Sequence, residues 1–376
     1  MGQDTHLAPR FASSHAKTER QVAKFFAAEF EGIDPALIVY FGAKCYDFAA
    51  LAKHMSSQFP QAPCVGCTTA GELSASGYTD SSVVAIAFPA VSFAAHAVLI
   101  ENLTKQSVSD CMRLVRNFAN RPAWNDWKRQ GILLVDGVSL QEDGLIAAID
   151  SALHGMPVLG GSAGDGLDFR ATSVALDGEA RVDSAVLVML ETNFQTQELI
   201  FDHFIPTQNR MVVTAADPAR RLITEINAEP AAEEYAYLIG KTADQLTPFD
   251  FASNPLLVRA GDRFHVRSIQ EITDGGALKL LSAIEQGVVM TLGHAQDIVA
   301  ALEGELAQLP RHPDLILSFD CILRRLDAER LGKTETVSEI FAKHNMVGFN
   351  TYGEQHHGMH VNQTFVGVAF FAPETS

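Results

Sequence analysis

The run Ile132-Leu-Leu-Val-Asp-Gly137 is followed by Gly160-Gly-Ser-Ala-Gly-Asp165 and then by Ala185-Val-Leu-Val-Met-Leu190, and the same succession occurs twice more. The first copy is Leu37-Ile-Val-Tyr-Phe-Gly42, Gly66-Cys-Thr-Thr-Ala-Gly-Glu72 and Val83-Val-Ala-Ile-Ala-Phe88. The last is Leu315-Ile-Leu-Ser-Phe-Asp320, Gly348-Phe-Asn-Thr-Tyr-Gly-Glu354 and Phe365-Val-Gly-Val-Ala-Phe370. Each short apolar run reads as a buried strand. The 23 to 28 residues before each glycine-opened turn leave room for a strand-helix-strand crossover. A carboxylate closes every turn. Repetition of this kind reports shared architecture, and three similar polar turns at strand ends could line one pocket.

Around these copies the remaining signals fit an α/β fold of mixed β-sheets with strand-helix-strand crossovers and an internally repeated unit. Helical periodicity covers 18–30, 46–55 and 107–119. Ser139 and Glu142 have capping-box spacing before a helix that runs to Leu153. Asp177-Gly178 predicts a hairpin between 172–176 and 183–190, and Asp274-Gly-Gly276 another between 264–269 and 278–281. Asp217-Pro218 reads as a helix cap followed by proline. The composition changes after Thr207, which predicts an N-terminal domain over 30–215 and a C-terminal one over 216–372.

Composition narrows the function. At 376 residues, 47% hydrophobic and 19% charged, the chain has enough apolar content for a large core. A formal charge of −17 argues against nucleic acid or an anionic membrane as partner. The densest basic run, 113–129, reads as a solvated helix face. No stretch has the length of a membrane span, and the first residues have neither a signal-peptide core nor a myristoylation pattern. Five cysteines in a chain this long do not make a disulfide framework, so a reducing cytoplasm is the expected location.

Several constellations have possible chemistry. Cys64-Val-Gly-Cys67 has redox or metal spacing but sits at a strand end without further ligands, so both cysteines also read as core residues. Gly240-Lys241-Thr242 ends like a phosphate loop but lacks the leading glycines. Gly160, Gly161 and Ser162 could expose backbone N–H groups to an anion or simply permit close packing. Glu72, Asp165 and Glu354 could receive an amine or cap their own turns. Cys321 and Arg324 follow the third strand. The densest polar group is Tyr352, Glu354, His356, His357, His360, Asn362 and Gln363, and His294 ends another strand. Neutral imidazole is a good haem-iron ligand, whereas a loop histidine is as readily a surface residue. No Ser-His-Asp set or carboxylate pair is identifiable, and no catalytic residue is assigned.

The turns at 66–72 and 160–165, Tyr352-Gly-Glu354, His360-Val-Asn-Gln-Thr364 and Val366-Gly-Val-Ala-Phe370 resemble, in order, those of the FIST sensory-domain family. The likeness extends over about 30–370, a FIST N segment followed by a FIST C segment. It implies a non-enzymatic ligand sensor in signalling, with amino acids among the ligands proposed for the family. The chain also resembles stand-alone haem-binding, nitric-oxide-sensing members, which implies a partner histidine kinase in two-component signalling. On that resemblance haem is the expected cofactor, with His360, His357 and His294 as candidate ligands in that order. The alternative is a haem-free sensor of an amino acid or other metabolite. Its ligand-binding candidates are Cys67, Thr68, Glu72, Gly160, Gly161, Ser162, Asp165, Cys321, Arg324, Tyr352, Glu354 and Asn362. A hydrolase using Cys67 or Cys321, and a purely structural protein, are further readings.

Overall fold

Alternate residues of one strand enter two different cores: Leu37, Val39 and Phe41 face a central cluster, while Ile38 and Tyr40 face a helical layer. This double burial is why the repeated runs are continuously apolar rather than alternating. The computed structural model describes residues 6–122, 126–261 and 263–374. The extreme N-terminal reading therefore falls largely outside the described residues, as does 123–125 of the basic run.

The first unit comprises β1 (Arg10–Ser14), α1 (Glu19–Glu29), β2 (Pro35–Ala43), α2 (Phe48–Gln58), β3 (Cys64–Thr69), β4 (Glu72–Ser74), β5 (Gly77–Thr79) and β6 (Val83–Pro89). The second repeats the order with β7 (Phe93–Glu101), α3 (Val108–Ala119), β8 (Lys128–Val135), α4 (Glu142–Leu153), β9 (Val158–Ser162), β10 (Val174–Leu176), β11 (Glu179–Arg181) and β12 (Ser184–Thr192). The third opens with β13 (Gln195–Phe201) and is then interrupted. Inserted are β14 (Phe204–Asp217), β15 (Leu222–Ile226), β16 (Glu229–Pro230), α5 (Ala231–Leu238), α6 (Pro248–Ser253), β17 (Leu256–Ala260), β18 (Arg263–Arg267), β19 (Ile269–Ile272), β20 (Leu278–Leu280) and β21 (Val289–Ala295). The unit resumes with α7 (Ile298–Leu306), β22 (Leu315–Cys321), α8 (Ile322–Arg330), α9 (Thr334–Lys343), β23 (Met346–Thr351), β24 (Glu354–His356), β25 (Met359–Val361) and β26 (Phe365–Phe371). Residue 215, the expected edge of the N-terminal domain, falls within β14.

The three units form three similar six-stranded sheets, each centred on the expected parallel pair: β2 with β3, β8 with β9, β22 with β23. None of the sheets is completed by its own hairpin. The β4–β5 hairpin of the first unit pairs with β23, the β10–β11 hairpin of the second with β3, and the β24–β25 hairpin of the third with β9. The exchange is cyclic, so the sheets surround one apolar centre that includes Phe41, Leu134, Phe319 and Phe349. Helices cover the outer faces, and the inserted eight-stranded sheet has its own core around Tyr235 and Phe251.

Three local expectations, two hairpins and a helix cap, are corrected, while Cys64 and Cys67 are core residues as expected. Asp177-Gly178 joins β10 to β11, not to the following long strand, because β12 is taken up by the neighbouring sheet. The Asp274 turn joins β19 to β20, while 263–267 pairs with β17. Glu142 does not close a capping box: α4 has no side-chain cap, and the Glu142 carboxylate is held by Arg221. Cys64 and Cys67 lie in different cores on opposite faces of β3, so they cannot share a metal or a disulfide as placed. The five cysteines are free. Lys241 pairs with Asp250 at 2.7 Å.

Candidate functional site

The carboxyl ends of the parallel pairs converge, and their three turns interlock through the backbone. Ala70 N–H donates to Asn350 O, Gly164 N–H to Thr68 O, and Ser162 N–H to Gly353 O. Strand carboxyl ends are where open α/β sheets ordinarily hold ligands. Here the turns themselves are packed shut. A Cβ at Gly164 would stand 2.6 Å from the Ala70 nitrogen, and one at Gly161 would meet the Thr351 methyl at 2.4 Å.

Glu72 and Glu354 occupy equivalent places and bind their own turns. Thr69 and Thr351 donate hydroxyls to them, and the N–H groups of Ser82 and Thr364 complete the pairing. Burial pushes Glu72 up to about 7 and Glu354 well above the usual carboxylate range. Asp165 behaves differently. Burial would raise it, but the Tyr352 hydroxyl and the N–H groups of Ala171, Arg170 and Phe169 hold it below its ordinary value. Cys67 is sealed in the central core, and the Thr68 hydroxyl accepts from Ser173 N–H. The Cys321 thiol is buried, and burial pushes its pKa well up. Gly160 rests on the Leu133 carbonyl, where a Cβ would stand at 1.9 Å.

Arg324 belongs to a separate buried network at the stem of the insertion. It pairs with Asp320 at 2.8 Å and meets His203 at 3.1 Å, whose other ring nitrogen contacts Asp327 at 2.9 Å. His203 O accepts from Gln296 N–H at 2.7 Å, so the chain leaves and re-enters the core at adjoining points.

The histidines are dispersed. His294 is exposed on β21, and His357 is exposed and paired with Glu198 at 2.9 Å. His360 is 2% exposed, its Nδ1 is 3.1 Å from Gln355 Nε2, and its Nε2 has no partner. Burial lowers its pKa, opposed by Glu142 and Asp143 and reinforced by Arg221 and Arg267. Gln355 Oε1, Asn362 Oδ1 and Arg267 Nε are also buried without partners. Such a concentration of unmet hydrogen-bonding capacity is costly unless water or a ligand meets it.

A cavity of about 230 Å³ opens between the core and the inserted sheet. Gly137 and Val138 come from the loop after β8, Glu142 from the first turn of α4, and Phe169 from the loop after β9. Tyr352 stacks on Phe169 with ring centroids 4.2 Å apart and forms an aromatic wall. The insertion supplies Arg220, Arg221 and Lys279. Arg221 and Glu142 form a buried ion pair at 2.5 Å, with Asp143 3.6 Å from the same guanidinium. A neighbouring cavity of about 120 Å³ shares Phe169, Gln270 and Leu281 and continues the cleft.

Of the expected ligand residues, Tyr352 lines this cleft. Asp165 supports it from behind through the tyrosine hydroxyl, and Asn362 donates to the Tyr352 carbonyl. Sequence reasoning missed Glu142, Phe169, Arg221 and Lys279. The Ser139–Glu142 spacing reads as a cap, whereas the Glu142 carboxylate faces Arg221. Arg221 follows the Asp217-Pro218 turn in the left-handed conformation, which aims it back at the core.

The FIST N domain profile matches residues 36–229 and the FIST C domain profile 231–357. The chain belongs to the FIST family. FIST domains are non-catalytic sensory modules associated with histidine-kinase-linked signalling, so this is a sensory, ligand-binding FIST protein rather than an enzyme. The cleft lies where the parts matched by the two FIST profiles face each other. No curated protein matches the chain. Among the described residues no helix is long and apolar enough to cross a membrane.

Proposed function

We propose that this FIST protein senses a small polar metabolite, an amino acid or a similar carboxylate-bearing molecule, in the cleft between core and insertion. The observation that carries the reading is the 230 Å³ cavity with an aromatic wall and both charge signs. Arg220 offers a partner to an anionic group, Lys279 can join it by exchanging its 3.0 Å pair with Glu271, and the Glu142–Arg221 pair can re-form around a ligand that carries donor and acceptor. A ligand touching both parts binds one relative arrangement better than another, and that difference is the signal available to a partner. The family association supports a histidine kinase as that partner. Screening amino acids and small carboxylates by thermal shift tests the reading. A true ligand at 100-fold its Kd stabilises by about 2.7 kcal/mol, and Arg221→Gln abolishes the shift. Absence of any stabilising compound overturns the reading.

Haem with nitric oxide as its ligand is the second reading, favoured by the unpartnered Nε2 of buried His360. The fit asks for rearrangement. Gln355 Nε2 now donates to Nδ1, which places the proton on Nε2, where iron would bind. A half-turn of the carboxamide would bring its free Oε1 to Nδ1 and release Nε2. His360 Cε1 also abuts Gly353, and His360 does not border the cleft. Hemin titration decides this. A saturable, one-equivalent Soret band that shifts with nitric oxide and is lost in His360→Ala supports haem; a band that never saturates removes it.

A further inference from the structure

A second groove, about 560 Å³ and sharing no lining residue with the cleft, runs between β13, the β17–β18 hairpin, α7 and the tip of the β24–β25 hairpin. His356 forms part of its floor. It is 2% exposed, yet neither ring nitrogen has a hydrogen-bond partner. A buried donor left unpaired costs about 1–3 kcal/mol, which a suitable ligand would recover. His265 lies alongside with ring centroids 5.6 Å apart, and Arg263 stands two residues earlier on β18.

The surroundings select the ligand's charge. Burial, then His265, His357 and Arg263, hold His356 down to about 3. His265 is likewise lowered by burial, then by Arg267 and Arg263. Of the groove's two carboxylates, Glu198 of β13 binds His357, and Glu305 of α7 stays in the lining. Arg263 supplies the cation here, and the two imidazoles beside it, held neutral by burial, can each offer one N–H. Among the described residues no three His, Cys, Asp or Glu side chains are arranged for a metal ion.

We propose that this groove is an oxyanion-binding site in which His356, His265 and Arg263 receive the carboxylate or phosphate group of a small organic anion. Ile200 and Met359 offer an apolar rest for its body. The test follows imidazole ¹H–¹⁵N resonances while inorganic phosphate or acetate is added to the intact protein in the millimolar range. Saturable movement of the His356 and His265 signals is expected, and the stronger of the two anions identifies the preferred group. Arg263→Gln, at an exposed position, weakens binding about tenfold, His356→Phe abolishes it, and Arg221→Gln leaves it unchanged. Signals that neither anion moves, or that move equally in Arg263→Gln, overturn the proposal, and the Arg263 variant keeps it testable if His356→Phe does not fold.

Discussion

Arg221 of the insertion and Glu142 of α4 form a 2.5 Å ion pair across the cleft, and both are nearly inaccessible to solvent. Breaking a buried pair from one side strands the other charge. Arg221→Gln should therefore cost about 3–5 kcal/mol of stability. The double variant Glu142→Gln/Arg221→Gln should recover most of that loss without recovering ligand binding. Denaturant unfolding and calorimetric titration separate the two effects; if the double variant is as unstable as the single, the pair is not what holds this part of the cleft.

Tyr352→Phe tests the aromatic wall. The hydroxyl donates to Asp165 and accepts from the N–H groups of Asp165 and Phe169 at 3.1 and 3.2 Å. Its removal should cost about 1–3 kcal/mol and release the Phe169 loop. Hydrogen exchange at 166–171 should accelerate locally, and ligand affinity should fall. Uniform acceleration across the chain would count against this local role.

Stability should depend on pH through Glu72. Its folded pKa, about 7, lies above the ordinary 4.5, so the native state holds the proton more tightly. The resulting stabilisation is complete below pH 4.5 and is lost as pH rises through about 7. It amounts to roughly 3 kcal/mol, and Glu354 acts in the same direction. Melting temperatures across this window should decline for the native chain and decline less for Glu72→Gln.

Two glycines should respond in opposite ways to alanine. At Gly348 a Cβ would stand 1.8 Å from the Ser318 carbonyl in the adjacent parallel strand, so Gly348→Ala should give little folded protein. At Gly304, within α7, nothing lies within 4 Å, and Gly304→Ala should stabilise by up to about 1 kcal/mol. Expression yield and melting temperature report both.

Strand pairs and crossovers were legible because double burial writes itself as unbroken apolar runs, as in 132–135 and 315–319. Hairpin partners were not: Asp177-Gly178 announces a turn, but nothing local states that its strands complete another unit's sheet. The cleft was half legible. Tyr352 stood out beside its glycine, whereas Arg221 and Glu142 acquire their meaning only when the insertion folds back on α4. The turn carboxylates drew attention by repetition, which here reflects a repeated structural bond, from Thr69 to Glu72 and from Thr351 to Glu354.

The cyclic exchange of hairpins also sets the order in which the molecule can be finished during synthesis. The first sheet waits for β10 and β11, the second for β24 and β25, and the third must retrieve β4 from near the beginning of the chain, where Leu73 meets Gly348. A nascent chain stopped anywhere before the last hairpin therefore leaves an unpaired strand edge, an invitation to aggregation. The ring closes late and at once. The insertion escapes this constraint: entering and leaving beside His203, it builds its sheet from its own strands and lends none to the ring.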